Sequence, residues 1–425
     1  MVFILTLPMA RTLCLSMLCD WLLRSGRRVR MGAGMLVVPL LCLAGQGRAA
    51  EIDVPPPGAG AVASSPGWAV PSSMPPRQWS RVPRVLGRLQ ARDLGLLINS
   101  DDPYSVQVGE AYAKARGLKD DQVLRVSLPI KSSLTREEFA ELSSKVDRFF
   151  GDRVQALALS WRLPYGVECN SITGALAMGF DPALCANTCA VSRTSPYFAS
   201  ASTRPYQDLK MRIAMMLAAP SVDSAKALIE RGLKSDGTMG LKGGVPANIH
   251  LVTTSDGVRS VRRSLFPPAG PVPEFGLDVH LDETNAVKNA SRVLIYLTGS
   301  TQVDFLDTIQ FVPGALADHL TSFGGVLDKP HGQMTVLSWI DAGATASYGT
   351  ASEPCAHLQK FPHPQGLILF YAQGATAIET YWKSVAWPQQ GLFVGEPLAA
   401  PFDRRLVGKP SDGSLAAVPA QVSRR

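Results

Sequence analysis

The chain has 425 residues, 46% hydrophobic and 18% charged, with a formal charge of +7. This composition excludes a disordered or collagen-like protein and leaves room for one large folded domain or two ordinary ones. The basic excess does not indicate a nucleic-acid binder: residues 1–50 hold six basic groups against one acid, and the remaining 36 basic and 34 acidic residues nearly cancel, with no dense basic patch.

The first fifty residues read as a leader. Arg24, Arg27, Arg28 and Arg30 form a positive region, and the uncharged stretch Met31–Gly45 is short for a membrane span. Gly47 and Ala49 stand at the small-residue positions of a cleavage site after Ala49. Cleavage predicts an exported protein, periplasmic or extracellular, without a stable transmembrane anchor; an uncleaved leader would instead anchor it in the inner membrane. Residues 51–84 are crowded with Pro, Gly, Ala and Ser and read as a disordered linker. A single domain is expected over 85–403, with a flexible tail over 404–425.

Leu94–Asn99 is a continuous apolar run that suits a parallel strand covered on both faces. Asp102 and Pro103 open a helix that Gly117 ends. Val123–Leu128 predicts a second strand. Thr135 and Glu138 form a capping box for a helix to Phe150, and Val154–Trp161 predicts a third strand. This β-α-β-α-β order predicts a mainly parallel, doubly wound sheet.

Residues 165–205 form an irregular, cysteine-bearing insertion on the presumed ligand side. Helices are expected over Leu209–Ala218 and Val222–Leu233, then strands at Ile249–Thr253, Gly276–Leu281 and Arg292–Leu297. Gly314–Thr321 reads as a short helix and Thr335–Ala342 as a central strand. Gln365–Lys383 reads as one amphipathic helix and Leu392–Val394 as the last strand.

The Gly343–Cys355 loop is small, polar and Gly-rich, so a backbone or a ligand could approach it closely. Ser347, Glu353 and His319 are the catalytic candidates: His319 as a base reaching toward Ser347, Glu353 as an acid–base carboxylate. Asn99, Asp101, Thr298 and Glu396 are ligand-binding candidates, because each stands at the end of a presumed strand. Against these stand plain structural roles: a core histidine, a helix cap, Glu-Pro corners that accept loop amides. Nucleophile-elbow, phosphate-loop, zinc-protease and dinucleotide motifs are absent. Neither cofactor nor metal is expected, although Cys185 with Cys189, and His357 with His363, have loose ligand spacings.

Beyond the leader, Cys169, Cys185, Cys189 and Cys355 predict two disulfides in an oxidising compartment. The expected pairs are Cys185–Cys189, which are local, and Cys169–Cys355, which follow strands read as parallel. Free buried thiols remain open, with Cys355 as a nucleophile the alternative in that case.

Several blocks, LLINSDDPYS, GATASYGTASEPC and GLFVGEPLAAPF, resemble a family of bacterial exported proteins known by sequence and not by activity. The resemblance covers roughly residues 94–402 and implies no substrate. The strand order and the closing Gly395-Glu396-Pro397-Leu398 are also similar to gingipain-type, caspase-like cysteine peptidases. That resemblance implies a three-layer α/β sandwich. It also implies a His and a Cys at two successive strand ends, where this chain reads Thr298-Gly299-Ser300 and Gly343–Ser347. Neither end supplies the dyad. Two functions are therefore expected with equal weight: a hydrolase-like enzyme with its site in the 343–355 loop, or a non-catalytic envelope protein that binds an unspecified ligand or protein.

Overall fold

The computed structural model describes residues 77–403, apart from residues 242, 329 and 330. The leader, the tail and the linker up to residue 76 lie outside the described residues. The strands are β1 (Leu94–Asn99), β2 (Val123–Val126), β3 (Ser133–Leu134), β4 (Ala156–Leu159), β5 (Gly166–Val167), β6 (Asn170–Ser171) and β7 (Ile213–Met216). They continue as β8 (Ala247–Thr253), β9 (Gly270–Val272), β10 (Leu277–Glu283), β11 (Val293–Thr298), β12 (Phe311–His319), β13 (Ala346–Thr350) and β14 (Gly391–Gly395). The helices are α1 (Pro103–Arg116), α2 (Arg136–Phe150), α3 (Ile172–Met178), α4 (Ala183–Ala186) and α5 (Pro205–Leu209). After them come α6 (Val222–Ser235), α7 (Val336–Asp341), α8 (Pro364–Ala372) and α9 (Ala377–Ser384).

The main sheet has eleven strands in the order β2-β1-β4-β7-β14-β13-β12-β11-β8-β10-β9, and β3-β5-β6 form a small second sheet. Neighbours are parallel from β2 to β7 and again from β10 to β13. β14 runs antiparallel to β13, and β9 antiparallel to β10. The chain is therefore mixed α/β around a mostly parallel sheet. Its central strands β1, β4, β7, β11, β13 and β14 are buried along their whole length, which is why they read as unbroken apolar or small-residue runs.

Local chemistry explains the best-anticipated helices. The Asp102 carboxylate accepts the Tyr104 amide, Pro103 opens α1, and Gly117 closes it at φ 64°. Thr135 and Glu138 exchange hydrogen bonds at the start of α2. Helix α2 buries Phe139, Leu142, Val146 and Phe150, spaced along one face. Each such side chain is worth about 1.5–3 kcal/mol of transfer free energy.

Four expectations change. Thr335–Ala342 is not the central strand: Val336–Asp341 is helix α7, and the strand is Ala346–Thr350 immediately after it. Gly314–Thr321 is not a helix but the second half of β12, with His319 as its last residue. Within Leu209–Ala218 the chain completes the turn of α5 and enters β7. In all three, a short apolar run fits either state, and position between other strands decides it. The single helix expected over Gln365–Lys383 is two. Gly374, at φ 94°, ends α8, and Thr376 with Glu379 forms a capping box for α9.

Residues 77–84, expected within the linker, lie along α8. The Ser80 amide donates to Gln365 Oε1 and Ser80 Oγ bonds to His363, while Val82 packs with Val85, Phe370 and Ala375.

Candidate functional site

The loops that follow β2, β4, β12 and β13 meet at one edge of the sheet. Asp328 accepts hydrogen bonds from Ser132 and from Tyr165, the latter at 2.9 Å, and Ser352 Oγ donates to the Cys169 carbonyl at 2.6 Å. This shared carboxyl edge is where an open α/β sheet would place a ligand.

Most of the predicted residues reach this edge, and all but Thr298, whose buried hydroxyl has no hydrogen-bond partner among the described residues, are committed to the scaffold. Asn99 spans its loop, donating to the Leu128 carbonyl and accepting the Leu128 amide at 3.0 Å each. Asp101 accepts from the Ser127 hydroxyl. Thr298 and His319 are register partners at the ends of β11 and β12. Trp339 Nε1 donates to His319 Nδ1 at 2.9 Å, and His319 Nε2 donates to the Met334 carbonyl at 2.9 Å. Both ring nitrogens are thus occupied, and burial pushes the imidazole down to about 4. Glu353 accepts the Cys355 amide at 2.7 Å.

Ser347 is not at the edge. It is the second residue of β13, opposite Val394, with no exposed surface, and its hydroxyl has no partner among the described residues. The small residues around it serve backbone packing. A Cβ on Gly349 would lie 2.5 Å from the Gly324 carbonyl carbon, and one on Gly395 would lie 2.4 Å from Ala346 Cβ. What approaches this stretch closely is the loop after β12 on one side and β14 on the other.

Glu396 stands at the opposite edge. Helices α1 and α6 follow β1 and β7 and run back along them, so their last turns lie at the amino edge. There Arg116 grips Glu396 with Nε at 3.0 Å and Nη2 at 2.6 Å, while its Nη1 reaches Asp236 at 2.7 Å. Tyr112 also donates to Glu396, at 2.7 Å. Because β14 is antiparallel to β13, Glu396 and Glu353 end up at opposite edges and cannot act as a pair.

The four cysteines among the described residues are all bridged, in a pairing that corrects the expected one. Cys169 joins Cys185 and Cys189 joins Cys355, with Cα separations of 5.1 and 5.3 Å. Cys185 sits in the turn of α4 and Cys169 in the tight link between β5 and β6, so the insertion closes on itself. Cys189, past that turn, is left to meet the loop after β13. The bridge removes Cys355 as a nucleophile, and two disulfides point to an oxidising compartment rather than the reducing cytosol.

Sequence reading missed the buried charges. Arg262 Nη2 lies 2.6 Å from Asp318 Oδ1, both side chains nearly sealed. Burial holds the Asp318 carboxyl above the ordinary carboxylate range against the pull of Arg262. The only signal was an acid inside the apolar strand ALADHL. His250, hydrogen-bonded to Asp282 at 2.9 Å, stacks on His280 with ring centroids 4.9 Å apart. Among the described residues no group of three or more His, Cys, Asp or Glu is arranged to hold a metal ion. Nor is any helix there long and apolar enough to cross a membrane.

No family model matches the chain, and neither does any curated protein. Among solved structures, the Arg-specific cysteine proteinase gingipain R is remotely similar, with a TM-score of 0.37 and 9% sequence identity over 73% of this chain and 78% of that one.

Proposed function

We propose that this chain is an exported, non-catalytic binding protein on a peptidase-like scaffold. The observation that carries the reading is the fate of the candidate nucleophiles and their base. Ser347 is sealed within β13, His319 has both nitrogens occupied, and Cys355 is bridged. A nucleophile must reach substrate and lie within hydrogen-bond reach of its base, and these groups meet neither condition. Export is supported by the two disulfides together with the leader-like first fifty residues. The finer reading of the fold, a caspase-like three-layer sandwich, is supported by helices packed along the sheet: α6 on β12, α7 on β13, and α3 with α9 on β7 and β14.

The test is an assay of the purified, disulfide-intact full chain against peptide, amide and ester substrates, alongside serine- and cysteine-directed covalent probes. The expected result is no turnover and no labelling. Turnover that falls in Glu353→Gln or His319→Gln variants would overturn the reading.

A further inference from the structure

At the amino-edge side of β7, helices α2, α3 and α5 surround a recess of about 420 Å3. Its walls include the α3 residues Ala175–Met178, and its polar rim is formed by Ser143, Asp147, Arg193, Tyr206, Lys210 and Arg212. Three cations therefore face a single carboxylate. Asp147 is itself committed, accepting from Arg212 Nη1 at 2.7 Å.

Arg212 is built in. Its side chain is only 4% exposed, its Nη2 donates to the Gly151 carbonyl, and its guanidinium lies 3.9 Å over the Tyr206 ring. Its Nε is buried and has no hydrogen-bond partner among the described residues. A buried donor left unpaired is costly, so the guanidinium keeps an uncompensated positive character beside the recess. Lys210 and Arg193 make no ion pair among the described residues. Lys210 stands at φ 56° after α5, with its ammonium 5.5 Å from the Tyr206 ring, and Arg193 Nη2 donates to the Met178 carbonyl at 2.8 Å. Capping of α3 accounts for Arg193 in part, but it accounts for neither Lys210 nor the Arg212 Nε.

We infer that this recess binds the oxyanion group, phosphate or carboxylate, of a small extracytoplasmic molecule. Lys210 and Arg193 supply the adjustable charge, and Arg212, fixed by Asp147 and Tyr206, adds a third positive charge held in place. Planar guanidinium groups suit bidentate oxyanions, and the flexible ammonium adds an adjustable charge. The inference deepens the binding reading and rests on it for biological meaning. The binding measurement itself is independent of whether the chain is catalytic.

The experiment titrates the full, disulfide-intact chain with inorganic phosphate and, separately, with citrate, by calorimetry at matched ionic strength. Saturable binding of one or both anions is expected, and the stronger arm tells phosphate from carboxylate recognition. The Lys210→Ala/Arg193→Ala variant should weaken it by roughly tenfold or more, as expected for lost charge-assisted contacts. Lys210→Arg should retain it. Lys145→Ala, on the neighbouring exposed face of α2, serves as the control and should bind as wild type. No saturable binding of either anion, wild-type binding by the double variant, or equal weakening in the control would each overturn the inference. None of these outcomes produces turnover, so failure here is distinguishable from failure of the non-catalytic reading.

Discussion

Arg262 and Asp318 form an ion pair at 2.6 Å that is almost wholly withdrawn from solvent, with side-chain exposures of 3% and 1%. Arg262 Nη2 also donates to the Thr298 carbonyl at 2.7 Å, so one guanidinium ties the turn over Arg259–Leu265 to the ends of β11 and β12. Removing one partner strands a buried charge, which costs about 3–5 kcal/mol. Asp318→Ala should therefore lower unfolding free energy by that amount in urea denaturation. An Arg262→Met/Asp318→Leu pair should cost clearly less than either single change. Equal or greater loss in the double variant would mean that the pair contributes net stability rather than specificity.

His319 carries a pH signature. Its folded value, about 4, lies below the ordinary histidine value near 6.5 because burial disfavours the imidazolium. Between those values the unfolded chain binds more protons than the folded one, so stability rises with pH there. The contribution is complete above about pH 6.5 and is lost as pH falls to about 4, a total of about 3 kcal/mol. The stability difference between wild type and His319→Gln should shrink by that amount between about pH 7 and pH 4. A difference that stays flat would show that the imidazole is not held neutral.

The disulfides should be unequal in effect. Cys189–Cys355 closes a sequence separation of 166 and Cys169–Cys185 one of 16, so the chain-entropy model assigns them about 5 and about 3 kcal/mol. Paired Cys→Ser variants should rank in that order in denaturant midpoint. A non-reduced digest should yield a 169–185 and a 189–355 linked peptide; a 185–189 link would contradict the structure.

Ser347 offers a check in the opposite direction. Its buried hydroxyl has no partner among the described residues, so Ser347→Ala removes an unsatisfied polar group and almost no volume. The variant should equal wild type or exceed it by about 1 kcal/mol in unfolding free energy. A catalytic serine would also lose activity on this change. A destabilisation above about 1 kcal/mol would reveal a hydrogen bond to Ser347 in solution.

By itself the sequence determined the parts governed by neighbours a few residues apart. The Asp102–Pro103–Gly117 frame of α1 and the Thr135–Glu138 box of α2 are local hydrogen-bond chemistry and are readable as such. The apolar runs of β1, β4 and β11 announced a buried parallel sheet, and four cysteines beyond the leader announced two bridges. Only the tertiary structure decided the rest. Whether Val336–Asp341 or Ala346–Thr350 is the strand depends on which segment lies between β12 and β14. Small residues at Gly349 and Gly395 look the same in sequence whether a ligand or another backbone approaches, and here it is backbone. The bridge partners, the pairing of Arg262 with Asp318 and the exile of Glu396 to the amino edge all join residues far apart in the chain. Strand order and direction bring such residues together, and spacing along the chain carries no record of that.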